Sequence, residues 1–229
     1  MKRRSVDHFS IGVLGLLTIC AYGSWYYAFG VLLEPIRNDT GWPESTLASS
    51  FSAGTILIGL SALFGGRMLD RLGHRPVFLL GGILGVSGLV VASLATNLAV
   101  FFVGSAIGLA AFGSLGFYHV TMTTAVRINP DEPARSIALL TIWGALASAI
   151  FLPGAAWLES RFGWRDTVRA MAAVSAAAFV LAAIVLPSTA PVQRTERQSV
   201  ATLLKSTVAT PAPRLFTMVV GFGLSLIHI

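Results

Sequence analysis

Uncharged apolar runs recur along the chain at residues 9–33, 47–64, 77–94, 100–124, 137–158 and 168–186, and a seventh opens at Leu215. A helix that crosses a bilayer needs about 20 mostly apolar residues. Each of the six runs therefore predicts a membrane span, and the short polar stretches between them predict the connections. Gly and Ala are frequent inside the runs, as suits helices that pack in lipid through small side chains. Gly81 with Gly85, and Gly104 with Gly108, have the four-residue spacing that lets two backbones approach. Lys2, Arg3 and Arg4 precede the first run as they would a signal peptide. The apolar part of such a peptide is only about 7–15 residues long, whereas this run is longer and carries Trp25, Tyr26 and Tyr27. It reads as a retained helix.

Composition strengthens this picture. Hydrophobic residues make up 55% of the 229 and charged residues 11%, against about 25% charged in soluble domains. The lipid bilayer is the partner that such a surface requires. The net charge of +6 does not point to nucleic acid, because the basic residues lie in short clusters between spans instead of one patch. Twelve of the 16 Lys and Arg fall in the N-terminal segment and the loops on its side of the membrane, leaving Arg37, Arg161, Arg165 and Arg169 on the other. By the positive-inside rule the N-terminus is cytoplasmic, in a multi-pass protein of the cell inner (plasma) membrane. The lone Cys20 supports no disulfide framework or zinc site. His8, His74, His119 and His228 are far apart, and no nucleophile–base pair or phosphate-binding Gly-Lys-Ser/Thr loop is present. Neither an enzyme nor an ATP-driven pump is expected, and no cofactor or metal.

Residues 187–214 form the longest polar stretch, with Pro187, Pro191, Pro211 and Pro213, a composition suited to a linker. Six spans, a cytoplasmic linker and a further span are the layout of a transporter built from two six-helix halves. The expected fold is an all-α polytopic membrane protein: a six-helix N-terminal bundle over residues 1–186, a linker over 187–214 and a truncated seventh helix over 215–229. That last run is too short to cross, so the reading is of a fragment whose C-terminal half is its intramolecular partner.

The loop between the second and third runs reads Gly66-Arg67-Met68-Leu69-Asp70-Arg71-Leu72-Gly73-His74-Arg75-Pro76. It resembles the signature loop of the major facilitator superfamily, matching at Gly66, Asp70, Arg71, Gly73 and Arg75. His74 takes one of the usual basic places and Pro76 departs from the pattern. Gly163-Trp164-Arg165 and Gly41-Trp42 are similar to elements of bacterial members. The stretch from Tyr22 to Glu34 and the Pro153-Gly154 pair look most like the monocarboxylate and oxalate/formate branch. Where carriers of that branch often place a Lys, this chain has Tyr26 and Tyr27.

The resemblance implies secondary active transport of a small solute by alternating access, with a coupling proton or ion and a small organic acid among the candidate substrates. It also implies that the loop latches the first half against a helix of the second. The residues suit that role: Gly66 and Gly73 permit tight turns, and Asp70 among Arg67, Arg71 and Arg75 can form charge-assisted hydrogen bonds. The alternative is a membrane receptor or accessory subunit that keeps the fold without transporting.

In such a fold the pathway is lined by the first, second, fourth and fifth spans. On the first, Tyr22, Trp25 and Tyr26 lie within an arc of about 100° and share a face; the competing reading places Trp25 and Tyr26 in an interfacial aromatic belt. On the fourth, His119 falls about 20° from Gly108 around the helix. It is expected to point into protein, as a proton-coupling group or a hydrogen-bonded structural histidine. Tyr118 and Trp143 are the other large polar-tipped candidates. No Asp, Glu, Lys or Arg lies deep in any run.

Overall fold

The computed structural model describes residues 6–188. Their regular structure is helical throughout: α1 His8–Ala21, a π-helical turn Tyr22–Tyr27, α2 Ala28–Thr40, α3 Glu44–Leu72, α4 His74–Leu94, α5 Leu98–Gly116, α6 Tyr118–Ile128 and α7 Pro133–Val185. The first three run together as one rod, His8–Thr40, and α5 and α6 form Leu98–Ile128. The α7 segment is two helices divided at Gly163, whose φ of 75° breaks the regular path. Six rods thus stand where six apolar runs predict them. The expected seventh helix, and all but the start of the linker, lie outside the described residues.

The rods outrun the apolar segments because polar ends stay helical beyond the hydrocarbon layer, as Glu34 to Thr40 do in α2. The ends are capped locally. Asp7 accepts from the Ser10 amide at 3.1 Å and the Ser10 hydroxyl at 2.6 Å, which holds its carboxyl below the usual range. Asn97 accepts from the Val100 amide at 3.0 Å at the start of α5. Such caps satisfy orphan amides of the first helical turn.

Inside the bundle α4 packs on α5 and α7, α3 on α5, and α1 on α7. The tightest approach is backbone to backbone: a Cβ added to Gly88 would lie 2.4 Å from the Gly108 nitrogen, and one on Gly104 would lie 2.8 Å from the Gly88 oxygen. Gly81 and Gly85 do a different job, receiving the side chains of Leu115 and Phe179 and the Phe112 ring. Hydroxyl pairs tie the rods where lipid offers no hydrophobic drive for association. They are Thr18–Thr121 at 3.1 Å, Ser50–Ser105 at 3.1 Å, Ser24–Ser175 and Ser61–Ser114.

The outward surfaces of the bundle differ. The second arm of α7 presents Val174, Val180, Leu181 and Ile184. By contrast the π-turn, α3, α6 and the first arm of α7 turn Tyr26, Ser52, His119 and Thr141 outward.

The packing predicts that Gly88→Val lowers the thermal midpoint of the detergent-purified protein, by the equivalent of about 1–3 kcal/mol of overpacking. Gly59→Ala, where a Cβ meets nothing within 4 Å, leaves the midpoint unchanged or raised by up to about 1 kcal/mol of helix propensity. Equal effects would contradict the close-approach reading.

Candidate functional site

The π-turn Tyr22–Tyr27 sits between the 14 residues of α1 and the 13 of α2. A π-turn closes i→i+5 bonds and so holds more residues than an α-turn. Tyr26 therefore stays in line with Tyr22, Tyr27 comes alongside, and Trp25 swings to the bundle side. This departs from the shared face expected of Tyr22, Trp25 and Tyr26 on a regular α-helix. Trp25 is fully buried, donates from Nε1 to the Ser105 hydroxyl at 3.0 Å and packs edge-on against Phe29 and Phe101. It is an internal strut, neither on a common face with Tyr22 nor in an interfacial belt.

Opposite the π-turn the fourth rod breaks. Phe117 takes φ −79° and ψ 176° between α5 and α6, and its ring stacks on Tyr22 with centroids 3.7 Å apart. The break starts α6 at Tyr118, whose ring tilts against that of Tyr22. Tyr118 stands 5.3 Å from Tyr22, and its hydroxyl donates to the Thr141 carbonyl at 3.4 Å. Gly144 makes room for it, since a Cβ there would fall 1.7 Å from that hydroxyl. Tyr26 lies 5.9 Å from Tyr22 and 5.5 Å from Phe51 of α3. Rings from the first, second and fourth rods meet here, and Tyr118 reaches the fifth.

His119 does not share the Gly104 and Gly108 face, because the break at Phe117 interrupts the helical count between them. It is exposed, with Nε2 2.9 Å from the Ser114 carbonyl. That contact occupies a carbonyl freed at the end of α5. Trp143 packs over Gly15 of α1 and is 37% exposed, standing apart from the tyrosine cluster.

The signature loop lies at one end of the bundle. Gly73, at φ 78°, makes the turn between α3 and α4, whereas Gly66 is inside α3 and makes no turn. Asp70 pairs with Arg127 of α6, whose other nitrogen donates to the Leu69 carbonyl at 3.1 Å. The Asp70 and Arg127 side chains are only 28% and 15% exposed. Arg71 and Arg75 remain outward. The sequence reading counted Arg127 only as a loop charge; its position at the foot of the fourth run was the available signal.

The other end carries a second clasp. Trp164 donates from Nε1 to Asp39 at 2.9 Å, Arg165 pairs with the same carboxylate and reaches the Ala95 carbonyl at 3.3 Å, and the Arg165 guanidinium lies 4.2 Å above the Trp164 ring. Gly163 aims both residues by its left-handed turn.

These features define a multi-pass helical membrane protein whose π-turn, α3, α6 and first arm of α7 carry exposed polar and aromatic side chains among aliphatic ones. A model of the Major Facilitator Superfamily matches residues 14–228, and the chain belongs to that superfamily. It is 31% identical over 181 residues to the transcription regulatory protein OpdE of Pseudomonas aeruginosa, covering 77% of this chain and 44% of that protein. It is 30% identical over 160 residues to a chloramphenicol resistance protein of Streptomyces lividans, covering 68% and 40%. It is also 30% identical over 165 residues to monocarboxylate transporter 13 of Rattus norvegicus, covering 71% and 36%. The chain thus spans about two fifths of the length of these relatives.

Removing the acceptor at the second clasp orphans the buried Trp164 N–H. Asp39→Ala and Trp164→Phe are each expected to lower the thermal midpoint, the latter by the equivalent of about 1 kcal/mol. The double variant costs less than the sum, because both remove one bond. Strict additivity in the melts would show that the bond contributes nothing.

Proposed function

We propose that this chain forms the first six-helix half of a secondary active transporter, which moves a small solute across the inner (plasma) membrane by alternating access. The observation that carries this reading is the meeting of two irregular backbones, the π-turn and the Phe117 break, beside an outward face of polar and aromatic side chains. At membrane depth, irregular backbone is tolerated where protein buries it or where it lines a water-filled cavity. The pathway face is assigned to Tyr22, Tyr26 and Tyr118, with His119 and Trp143 at its margins and Trp25 as the strut behind it. A second helical half, with a coupling proton or ion, completes the cavity. The charge distribution of the loops supports a cytoplasmic N-terminus. One relative supports transport by name, as a monocarboxylate transporter, and another is named for chloramphenicol resistance.

The loop at Gly66, Asp70, Arg71, Gly73 and Arg75 is read as the latch. Asp70 is anchored to Arg127 within this half, leaving Arg71 and Arg75 outward for a partner. A second reading, a sensor that retains the fold without moving solute, draws on the relative named as a transcription regulatory protein. Saturable flux above empty vesicles separates the two.

The latch assignment is tested in vesicles carrying a full-length version, with both halves, at matched levels, with radiolabelled chloramphenicol and lactate as probes. Asp70→Asn is expected to lower flux about tenfold, the effect of losing roughly 1.4 kcal/mol. The exchanged pair, Asp70→Arg with Arg127→Asp, restores thermal stability but not flux. Full flux in the exchanged variant would reduce the pair to an internal tie.

A further inference from the structure

The tyrosine cluster has a chemistry of its own. Tyr22, Tyr26, Tyr27 and Tyr118 gather around Phe117, with Tyr26 5.8 Å from Phe117 and 5.4 Å from Tyr27. Of the four hydroxyls, that of Tyr118 donates to the Thr141 carbonyl at 3.4 Å. Among the described residues, the hydroxyls of Tyr26 and Tyr27 have no hydrogen-bond partner. Tyr26 is 37% exposed and Tyr27 half-buried, so both reach the open side of the bundle. A phenol at membrane depth gains from a partner, because an unpaired polar group is costly away from water.

The surroundings limit what that partner is. No Asp, Glu, Lys or Arg lies within residues 9–33, 47–64, 100–124 or 137–158, which cover the four rods around the cluster. His119 is occupied at Nε2 by the Ser114 carbonyl. A charged solute brought against these rings would find no countercharge on these four rods, which is expensive at low dielectric. A cation bound by ring faces alone is the rival occupant. Here the faces are spent on each other: Tyr22 stacks on Phe117 at 3.7 Å, and Phe51 beside Tyr26 stacks on Phe29 at 5.0 Å. Tyr26 and Tyr27 meet their neighbours edge-to-face or tilted, and their two hydroxyls stay open. An uncharged planar ring suits edges, since aromatic pairs favour edge-to-face and offset contacts. Hydrogen-bonding substituents on that ring suit the hydroxyls.

We infer that this cluster binds an uncharged aromatic or heteroaromatic solute, held edge-on by the rings and hydrogen-bonded by Tyr26 and Tyr27. The inference rests on the pathway reading given above and deepens it to a substrate class. It also turns away from the organic acid that the family resemblance suggests.

Three probes of one shape decide the matter: nicotinamide (neutral), nicotinate (anionic) and N-methylnicotinamide (cationic). Equilibrium binding of the radiolabelled probes to the full 229-residue chain in detergent is expected to be saturable for nicotinamide and at least tenfold weaker for both ions. Cyclohexanecarboxamide, which lacks the aromatic ring, competes at least tenfold less well. The double variant Tyr26→Phe with Tyr27→Phe keeps the rings and the fold, shown by an unchanged elution profile, yet binds nicotinamide about tenfold more weakly. Ile184→Val, on the aliphatic second arm of α7, leaves binding unchanged.

Preference for either ion overturns the inference. So does the absence of saturable nicotinamide binding, or full affinity in the double phenylalanine variant. Lactate flux that depends on Asp70, together with preference for nicotinate, would reject the neutral class while keeping the transporter. Nicotinamide binding as expected, without flux of any probe, would keep the site and reject transport.

Discussion

In hydrocarbon every backbone amide and carbonyl must find its partner within the protein, and the centre of this bundle is arranged around that demand. The π-turn in the first rod and the break at Phe117 in the fourth each disturb the regular ladder. They are placed against one another, so that the Phe117 ring stacks on Tyr22. Each irregularity is the other's complement.

Around this centre the rest of the half is tied as one body. Gly88, Gly104 and Gly108 let α4 and α5 meet without side chains between them. Trp25, through Ser105 and onward to Ser50, joins the first, fourth and second rods. The ends are held by charge, at Asp70–Arg127 on one side and Asp39–Arg165 on the other. A body clamped at both ends and through its core suits motion as a unit under the proposed mechanism. That is the behaviour which rocking of one half against another requires.

The apolar runs made six spans legible because lipid demands length and hydrophobicity, and both are visible residue by residue. The Asp70 loop was legible for its spacing. The π-turn was not, since YGSWYY contains no breaker that distinguishes it from an α-helix, and the face assigned to Trp25 failed with it. The break at Phe117 was hidden in the same way: Gly113 and Gly116 flank it, yet glycine is common in membrane helices. Every angular count across that point, including the one that placed His119, assumed a ladder that stops there. Tyr27, which a regular count puts about 140° around from Tyr22, joins the cluster for the same reason.

The central claim is that the polar, aromatic outward face is a water-filled pathway and the aliphatic one is lipid. Exposure in the isolated bundle does not separate them: Tyr26 is 37% exposed, Val180 45% and Ile184 67%. Single cysteines at Ser52, Tyr26, Thr141, Val180 and Ile184, in a Cys20→Ser background, do so when treated in intact membranes with a charged, water-soluble thiol reagent. The account predicts labelling at the first three positions and none at the last two. Labelling at Val180 and Ile184 with protection at Ser52, Tyr26 and Thr141 would contradict it.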